Sequence, residues 1–341
     1  LMKILLFFEG EELIKTSGIG RAMKHQIAAL ESQGIEYTTE VWDEDYDILH
    51  INTYGLASEG VILNARRLGK KVIYHAHSTE EDFRNSFILS NQIAPLFKQY
   101  LVTLYSQADA LITPTPYSKK IIEGYEGINL PIYAISNGID INRYAYNAEK
   151  VKAFRRYFDI RENDKVIISV GLYFERKGIL DFVEVAKKMP DYRFIWFGHT
   201  NLLTVPQEIR EVVENHPDNV LFPGYIKGPI IEGAYLGADC FFFPSYEETE
   251  GIVVLEALAS HQQVVVRDIG AFDPWLQDKV NCYKGHDNDE FADILDKVIS
   301  GEYPSTREEG FKVAEARSID NIGKQLKEVY ETVLGEGVEK K

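Results

Sequence analysis

The sequence predicts an α/β protein made of two doubly wound domains. Three observations lead there. The chain has 341 residues, and at roughly 150 residues per domain this length suggests two. Short apolar runs alternate with stretches of helical periodicity in both halves, the pattern of βα units around a parallel sheet. Two series of five such runs flank a polar stretch near Asn142–Asp164.

Taken in order, the first-half strand candidates are Lys3–Phe8, Asp47–Ile51, Lys71–His77, Ala110–Thr113 and Ile132–Ser136. A helix is expected after the first of them, with Ala22, Ile27, Ala28 and Leu30 on its apolar side and Gly34 as its stop. The second half offers Val166–Gly171, Arg193–Gly198, Asn219–Gly224, Cys240–Ser245 and Val264–Asp268. These series define Rossmann-like domains over residues 1–150 and 151–319, with a frayed end in GEGVEKK. In open α/β sheets ligands bind at the carboxyl ends of strands, so the chemistry is sought in strand-to-helix loops.

Composition narrows the function. Apolar residues are 45% and charged residues 26%, the balance of a globular chain with a sizeable core. The net charge of −16 disfavours a nucleic-acid binder, which needs clustered Lys and Arg. That charge is uneven, −5 over residues 1–150 and −11 over the rest, so a membrane-facing surface on the first half stays open. The two cysteines, Cys240 and Cys282, fit a reducing compartment and suggest neither a disulfide scaffold nor structural zinc. The opening LMKILLFFEGEEL reads as a buried strand rather than a signal peptide or spanning helix. A cytoplasmic protein, soluble or peripheral on the membrane, is expected.

The strongest constellation is PSYEETEGIVVLEALA, Pro244–Ala259, which follows the strand candidate CFFF and opens a helix. Glu248 and Glu256 are eight residues apart, about 12 Å along a helix. That is too far to share a proton, so they would act on different parts of one extended ligand. Gly251 near the helix start would let a ligand approach backbone amides, where the helix dipole favours anions. An alternative stands beside this reading: Glu247, Glu248 and Glu250 cap the helix and Glu256 is solvated. Elsewhere, Gly18–Gly20 follow the first strand and precede a helix, and Arg176–Lys177 follow VIISVG. Alone, each is as well read as a common βα loop or a solvated pair.

Here the sequence resembles the retaining GT-B glycosyltransferases of family four. Pro244–Ala259 is similar to their E-x7-E signature. Thr16–Leu30, Val72–Ser78, Ala108–Ile122, Ile135–Tyr144 and Ser169–Gly178 resemble further family signatures in the same order. The resemblance implies two Rossmann-like domains facing a cleft, with a last helix, about 320–341, packing back on the first. It implies that Glu248 holds donor-sugar hydroxyls and faces the reacting carbon. Glu256 would accept both ribose hydroxyls, and backbone around Glu250, Gly251, Ile252 and Val253 would contact sugar and phosphate. Lys177 would neutralise the leaving diphosphate without a metal ion. His77 would lie near the donor sugar from the other domain, and Gly18 and Gly20 would let amides approach diphosphate or acceptor. His75 would orient the loop or pack. One departure is Leu172, where the family carries arginine; Arg176 would supply that charge, or Lys177 would act alone.

The acceptor side rests on Asp82–Ser106, which is rich in large apolar residues and carries only Arg84 and Lys98 as cations, downstream of the basic Asn64–Lys71. It reads either as core-facing helix or as a surface that dips into lipid through Arg84, Phe87, Ile88, Phe97 and Lys98. A softer likeness to bacterial glycolipid synthases implies hexosyl transfer from UDP-glucose or UDP-galactose to monoglucosyl-diacylglycerol at the inner membrane face. The alternatives are a transferase with a soluble or polysaccharide acceptor, a nucleotide-sugar epimerase, and a non-catalytic nucleotide-sugar-binding module.

Overall fold

All ten predicted apolar runs become strands, and two short edge strands join them. The computed structural model describes residues 1–10 and 18–335. The Thr16–Ser17 start of the glycine-rich loop and the tail beyond Gly335 lie outside the described residues. The first sheet contains β1 (Lys3–Phe7), β2 (Glu36–Thr38), β3 (Ile48–Ile51), β4 (Lys71–His75), β5 (Ala110–Thr113) and β6 (Ile132–Ala134), in the order β2-β1-β3-β4-β5-β6. The second contains β7 (Val166–Val170), β8 (Arg193–Phe197), β9 (Val220–Gly224), β10 (Cys240–Phe243), β11 (Val264–Arg267) and β12 (Tyr283–Gly285), in the order β12-β11-β10-β7-β8-β9. Every described pairing is parallel. The sequence reading missed β2 and β12 because each spans three residues at a sheet edge, where polar Glu36 and Lys284 break the apolar run.

Parallel sheets are covered on both faces, and the strands show it. On β1, Leu5 and Phe7 enter one core cluster while Ile4, Leu6 and, just past the strand, Phe8 enter another, as alternation along a strand requires. In the second sheet Phe194, Trp196 and Phe242 anchor a single large cluster.

The chain forms two units. The first comprises Leu1–Glu81, Ile93–Ile139 and the residues from Arg317 onward; the second comprises Asp82–Gln92 and Asp140–Ala316. The sequence reading drew these boundaries after 150 and 319. Two findings explain the structural ones. The polar stretch holds a helix, Ala148–Tyr157, whose Phe154 is fully buried. That helix packs on Pro229–Gly237 so tightly that a Cβ on Gly233 would lie 2.0 Å from the Lys150 carbonyl oxygen. The last helix, Ile319–Leu334, packs on Gly18–Ser32. At that crossing a Cβ on Gly323 would meet the Ala29 carbonyl oxygen at 2.6 Å. Helices cover both faces of this sheet: Leu326 and Tyr330 join the core beside β1 and β3, while Ile122 packs in the cluster on the opposite face. Among the described residues no helix is long and apolar enough to cross a membrane.

Candidate active site

In the second unit two strand ends converge. The loop after β7 turns through Glu175–Lys177 into the Ile179–Lys188 helix, and the loop after β10 runs into Ile252–Ala259. Gly178 joins the two. Its φ is +77°, and a Cβ there would lie 2.4 Å from the Pro244 carbonyl oxygen, so only glycine lets the loops approach this closely.

This approach brings Lys177 to Glu248. Lys177 Nζ donates to Glu248 Oε1 at 2.6 Å, and Ser245 Oγ donates to the same oxygen at 2.7 Å. Glu248 is buried, with Arg176 Nη1 3.8 Å from Oε1. Burial alone would push the Glu248 carboxyl up, but the charges of Lys177 and Arg176 outweigh it and hold the group below its usual range. Burial, abetted by Arg176, pulls the Lys177 ammonium down even with Glu248 beside it. The result is a largely buried ion pair at a strand end.

Arg176, the candidate substitute for the family arginine, has other partners. It is buried, and its Nη1 lies 3.0 Å from Asp82 Oδ1 and donates to the Glu247 carbonyl oxygen at 3.0 Å. Its Nε donates to Ser86 Oγ at 3.3 Å, and its backbone N–H donates to the Asn85 carbonyl at 2.7 Å. Arg176 thus ties the Asp82–Gln92 segment to the loop that carries Glu248. Leu172, by contrast, is exposed.

Glu256 is 3% exposed on a helix whose eight residues are all buried, which removes the solvated alternative for this residue. Glu250, Ile252 and Val253 are also buried, and Gly251 takes φ +93° at the helix start. The N-cap position itself is Gly251, which has no side chain to cap with.

In the first unit His77 follows β4 and its Nε2 lies 2.8 Å from Asn52 Oδ1. His50 and His75 are buried behind it. Gly20 is buried and Gly18 exposed in the first turn of Gly18–Ser32. The acceptor candidates divide. Ile88 is exposed, as are its neighbours Leu89, Ile93 and Leu96. Phe87 is half-buried, edge-on to Phe83, and Arg84 Nη1 lies at 3.5 Å from the Asn91 carbonyl oxygen. Phe97 packs on Tyr54 against the first unit's core, and the part-exposed Lys98 sits over the Tyr125 ring with its Nζ 3.6 Å from Glu80. The basic helix end is partly matched by acid, Arg66 with Asp109 and Arg67 with Glu44.

Residues 150–315 match the family described as glycosyl transferases group 1, and residues 32–143 match glycosyltransferase family 4. The chain belongs to this glycosyltransferase family. Along the glycosyltransferase, 333 residues (98% of this chain and 99% of the relative) are 49% identical to a processive diacylglycerol alpha-glucosyltransferase of Acholeplasma laidlawii. An alpha-galactosylglucosyldiacylglycerol synthase of Streptococcus pneumoniae is 24% identical over 274 residues, 78% of this chain and 70% of that one. Among solved structures, Anabaena HepE in complex with UDP-glucose superposes with a TM-score of 0.75 at 19% identity, covering 97% of this chain and all of that one. The fold is GT-B.

Reading the glycosyltransferase's sequence did not find Asp82, Ser86, Asn52, Gln26 or Tyr330, which hold the candidate residues in place. Only Ser245 had a signal, as the serine of the P-S-x-x-E pattern.

The buried His50 and His75 and the half-buried His77 carry a pH prediction. Burial pushes the His50 imidazole down to about 3 and His77 to about 4, and holds His75 well below its ordinary value. Unfolded, each would bind a proton below about pH 6.5; folded, each stays neutral. Stability is therefore greatest above pH 6.5 and falls as pH drops towards 4, by up to about 1.4 kcal/mol per pH unit per histidine. Urea titrations followed by circular dichroism at pH 7, 6 and 5 check this, and a flat stability across that window would contradict it.

Proposed function

We propose that this glycosyltransferase moves glucose from UDP-glucose, with retention at the anomeric carbon, to a diacylglycerol-based acceptor at the cytoplasmic face of the membrane. The observation that carries this reading is the near full-length match, at 49% identity, to a relative named for alpha-glucosyl transfer to diacylglycerol. Monoglucosyl-diacylglycerol is an acceptor of the same class, and UDP-galactose is the competing donor. The exposed Ile88 and Leu89 suit a peripheral contact with lipid.

In this reading the Lys177–Glu248 pair opens onto the donor. Glu248 receives the sugar hydroxyls and Lys177 turns to the diphosphate, where negative charge grows as the bond from C1 to the β-phosphate oxygen breaks. The acceptor oxygen bonds to C1 on the same face, and its proton passes to the departing phosphate oxygen. Lys177 supplies the cation, and the reading invokes no metal ion. Glu256 accepts the two ribose hydroxyls, with backbone from Glu250 to Val253 beside sugar and phosphate. His77 faces the donor sugar, and Gly18 and Gly20 admit amides to the diphosphate or acceptor.

Incubation with UDP-glucose or UDP-galactose and vesicles of diacylglycerol or monoglucosyl-diacylglycerol, with NMR of the product, tests the reading. An alpha-glucosyl lipid is expected. A beta linkage would overturn retention, a product formed only on soluble acceptors would overturn the lipid assignment, and interconversion of UDP-sugars without acceptor would show an epimerase. Glu256→Ala is expected to weaken UDP binding by about 1.5–3 kcal/mol, the worth of hydrogen bonds to a charged group. Unchanged affinity by calorimetry would overturn the ribose assignment.

A further inference from the structure

Behind His77 lies a row of imidazoles for which the proposed chemistry gives no use. His50, His75 and His77 stack in sequence, with ring centroids 5.2 and 4.3 Å apart and planes within 7° of parallel. Tyr330, on the last helix and fully buried, places its hydroxyl 2.6 Å from His50 Nδ1. His50 Nε2 is 3.0 Å from His75 Nδ1. The same His75 nitrogen lies 3.2 Å from Gln26 Nε2, which also donates to Asn52 Oδ1 at 2.7 Å. Asn52 Nδ2 returns a bond to Gln26 Oε1 at 3.0 Å, and Asn52 Oδ1 faces His77 Nε2 at 2.8 Å.

Such a chain has a direction, because a neutral imidazole carries one N–H and one lone pair. Among the described residues His50 Nδ1 is the one hydrogen-bond partner of the Tyr330 hydroxyl, so the buried hydroxyl proton is satisfied only when Tyr330 donates to it. His50 then holds its proton on Nε2 and donates to His75 Nδ1. His75 holds its own proton on Nε2, which meets no partner among the described residues. The single Nδ1 lone pair of His75 is shared, in a three-centre bond, between His50 Nε2–H at 3.0 Å and one Gln26 amide N–H at 3.2 Å, and Gln26 presents its other N–H to Asn52 Oδ1. Asn52 Oδ1 is then an acceptor for His77, whose proton must sit on Nε2. Placing the His75 proton on Nδ1 instead would set it against the Gln26 amide N–H, turn both amides over and move the His77 proton to Nδ1.

We propose that Tyr330, acting through His50, His75, Gln26 and Asn52, is a positioning residue that fixes His77 as its Nε2–H tautomer and leaves Nδ1 as a hydrogen-bond acceptor. The consequence for turnover rests on the reading that His77 faces the donor sugar: there it accepts from a sugar hydroxyl and does not donate to one. A residue far along the chain thereby determines the hydrogen-bonding sense of a residue at the proposed site.

Histidine-selective nitrogen-15 NMR on the full chain at pH 7.5 reads the tautomer directly. The wild type is expected to show His77 as a single Nε2–H form. Tyr330→Phe, which removes only the hydroxyl, should convert this to a mixture and lower kcat several-fold with UDP affinity unchanged. Gln26→Leu cuts the same relay at another point and should give the same mixture, so it decides the matter should the first variant fail to fold. A wild-type Nδ1–H form, or a His77 tautomer unmoved by both variants, would overturn the inference. A tautomer that shifts while kcat stays constant would support the relay and overturn the reading that His77 faces the donor.

Discussion

Lys177→Ala is expected to lower turnover by about 2–4 kcal/mol in transition-state stabilisation, roughly 30- to 1,000-fold, by analogy with the loss of one oxyanion donor. The structure adds a second cost. Lys177 is bonded to Glu248 at 2.6 Å, and both side chains are largely buried. Removing it leaves Glu248 with Ser245 at 2.7 Å and the Arg176 guanidinium at 3.8 Å. Breaking a buried ion pair from one side typically costs about 3–5 kcal/mol, because the other charge stays behind without its partner. The kinetic loss must therefore be read on folded enzyme, with circular dichroism and UDP calorimetry as controls. Near-normal kcat with a fully folded variant would sink the assignment of Lys177 to the leaving group. Arg176 is badly placed to take over, since Asp82, Ser86 and the Glu247 carbonyl already hold its side chain.

Arg176→Ala is expected to act chiefly on stability, at about 3–5 kcal/mol. It strips the cation from Asp82 and weakens the field at Glu248, while the Glu247 carbonyl and the Ser86 hydroxyl lose a donor. Arg176→Lys should not restore it, because one ammonium cannot reach in the several directions that the planar guanidinium serves. Urea unfolding free energies of the wild type, Arg176→Ala, Asp82→Ala and the doubly substituted chain close a double-mutant cycle that measures the coupling, with Arg176→Lys titrated beside them. A loss below about 1 kcal/mol for Arg176→Ala would mean that the Asp82–Gln92 segment is held by other contacts.

Much of the fold was legible because each piece of evidence for it is local. A central parallel strand must be apolar on both faces, so VIISV and CFFF announce themselves without knowledge of their neighbours. The edge strands β2 and β12 lack that requirement and were missed. The helix Ala148–Tyr157 was read as linker because it buries little more than Phe154 and is otherwise polar. In the candidate site, Glu248 and Glu256 stood out because their spacing to each other and to Gly251 is itself local, and Lys177 did so through the ordered family signatures that the chain resembles. Arg176 sits beside Lys177 in sequence yet turns to Asp82, more than ninety residues upstream, and no local pattern distinguishes the two cations.

The sequence by itself determined the parallel α/β architecture and the strand ends where chemistry is sought, because periodicity and the residue types that a strand, a turn and a helix start admit are local. Its resemblance to family four singled out Glu248, Glu256 and Lys177 at those ends. Only the tertiary structure decided what those residues touch. It joined Lys177 to Glu248, withdrew Arg176 into a tie with Asp82, and set Tyr330 at the head of a relay ending at His77. The physical reason is range: backbone preference acts over a few residues, whereas ion pairs and buried hydrogen bonds depend on which distant segments packing brings within about 3 Å.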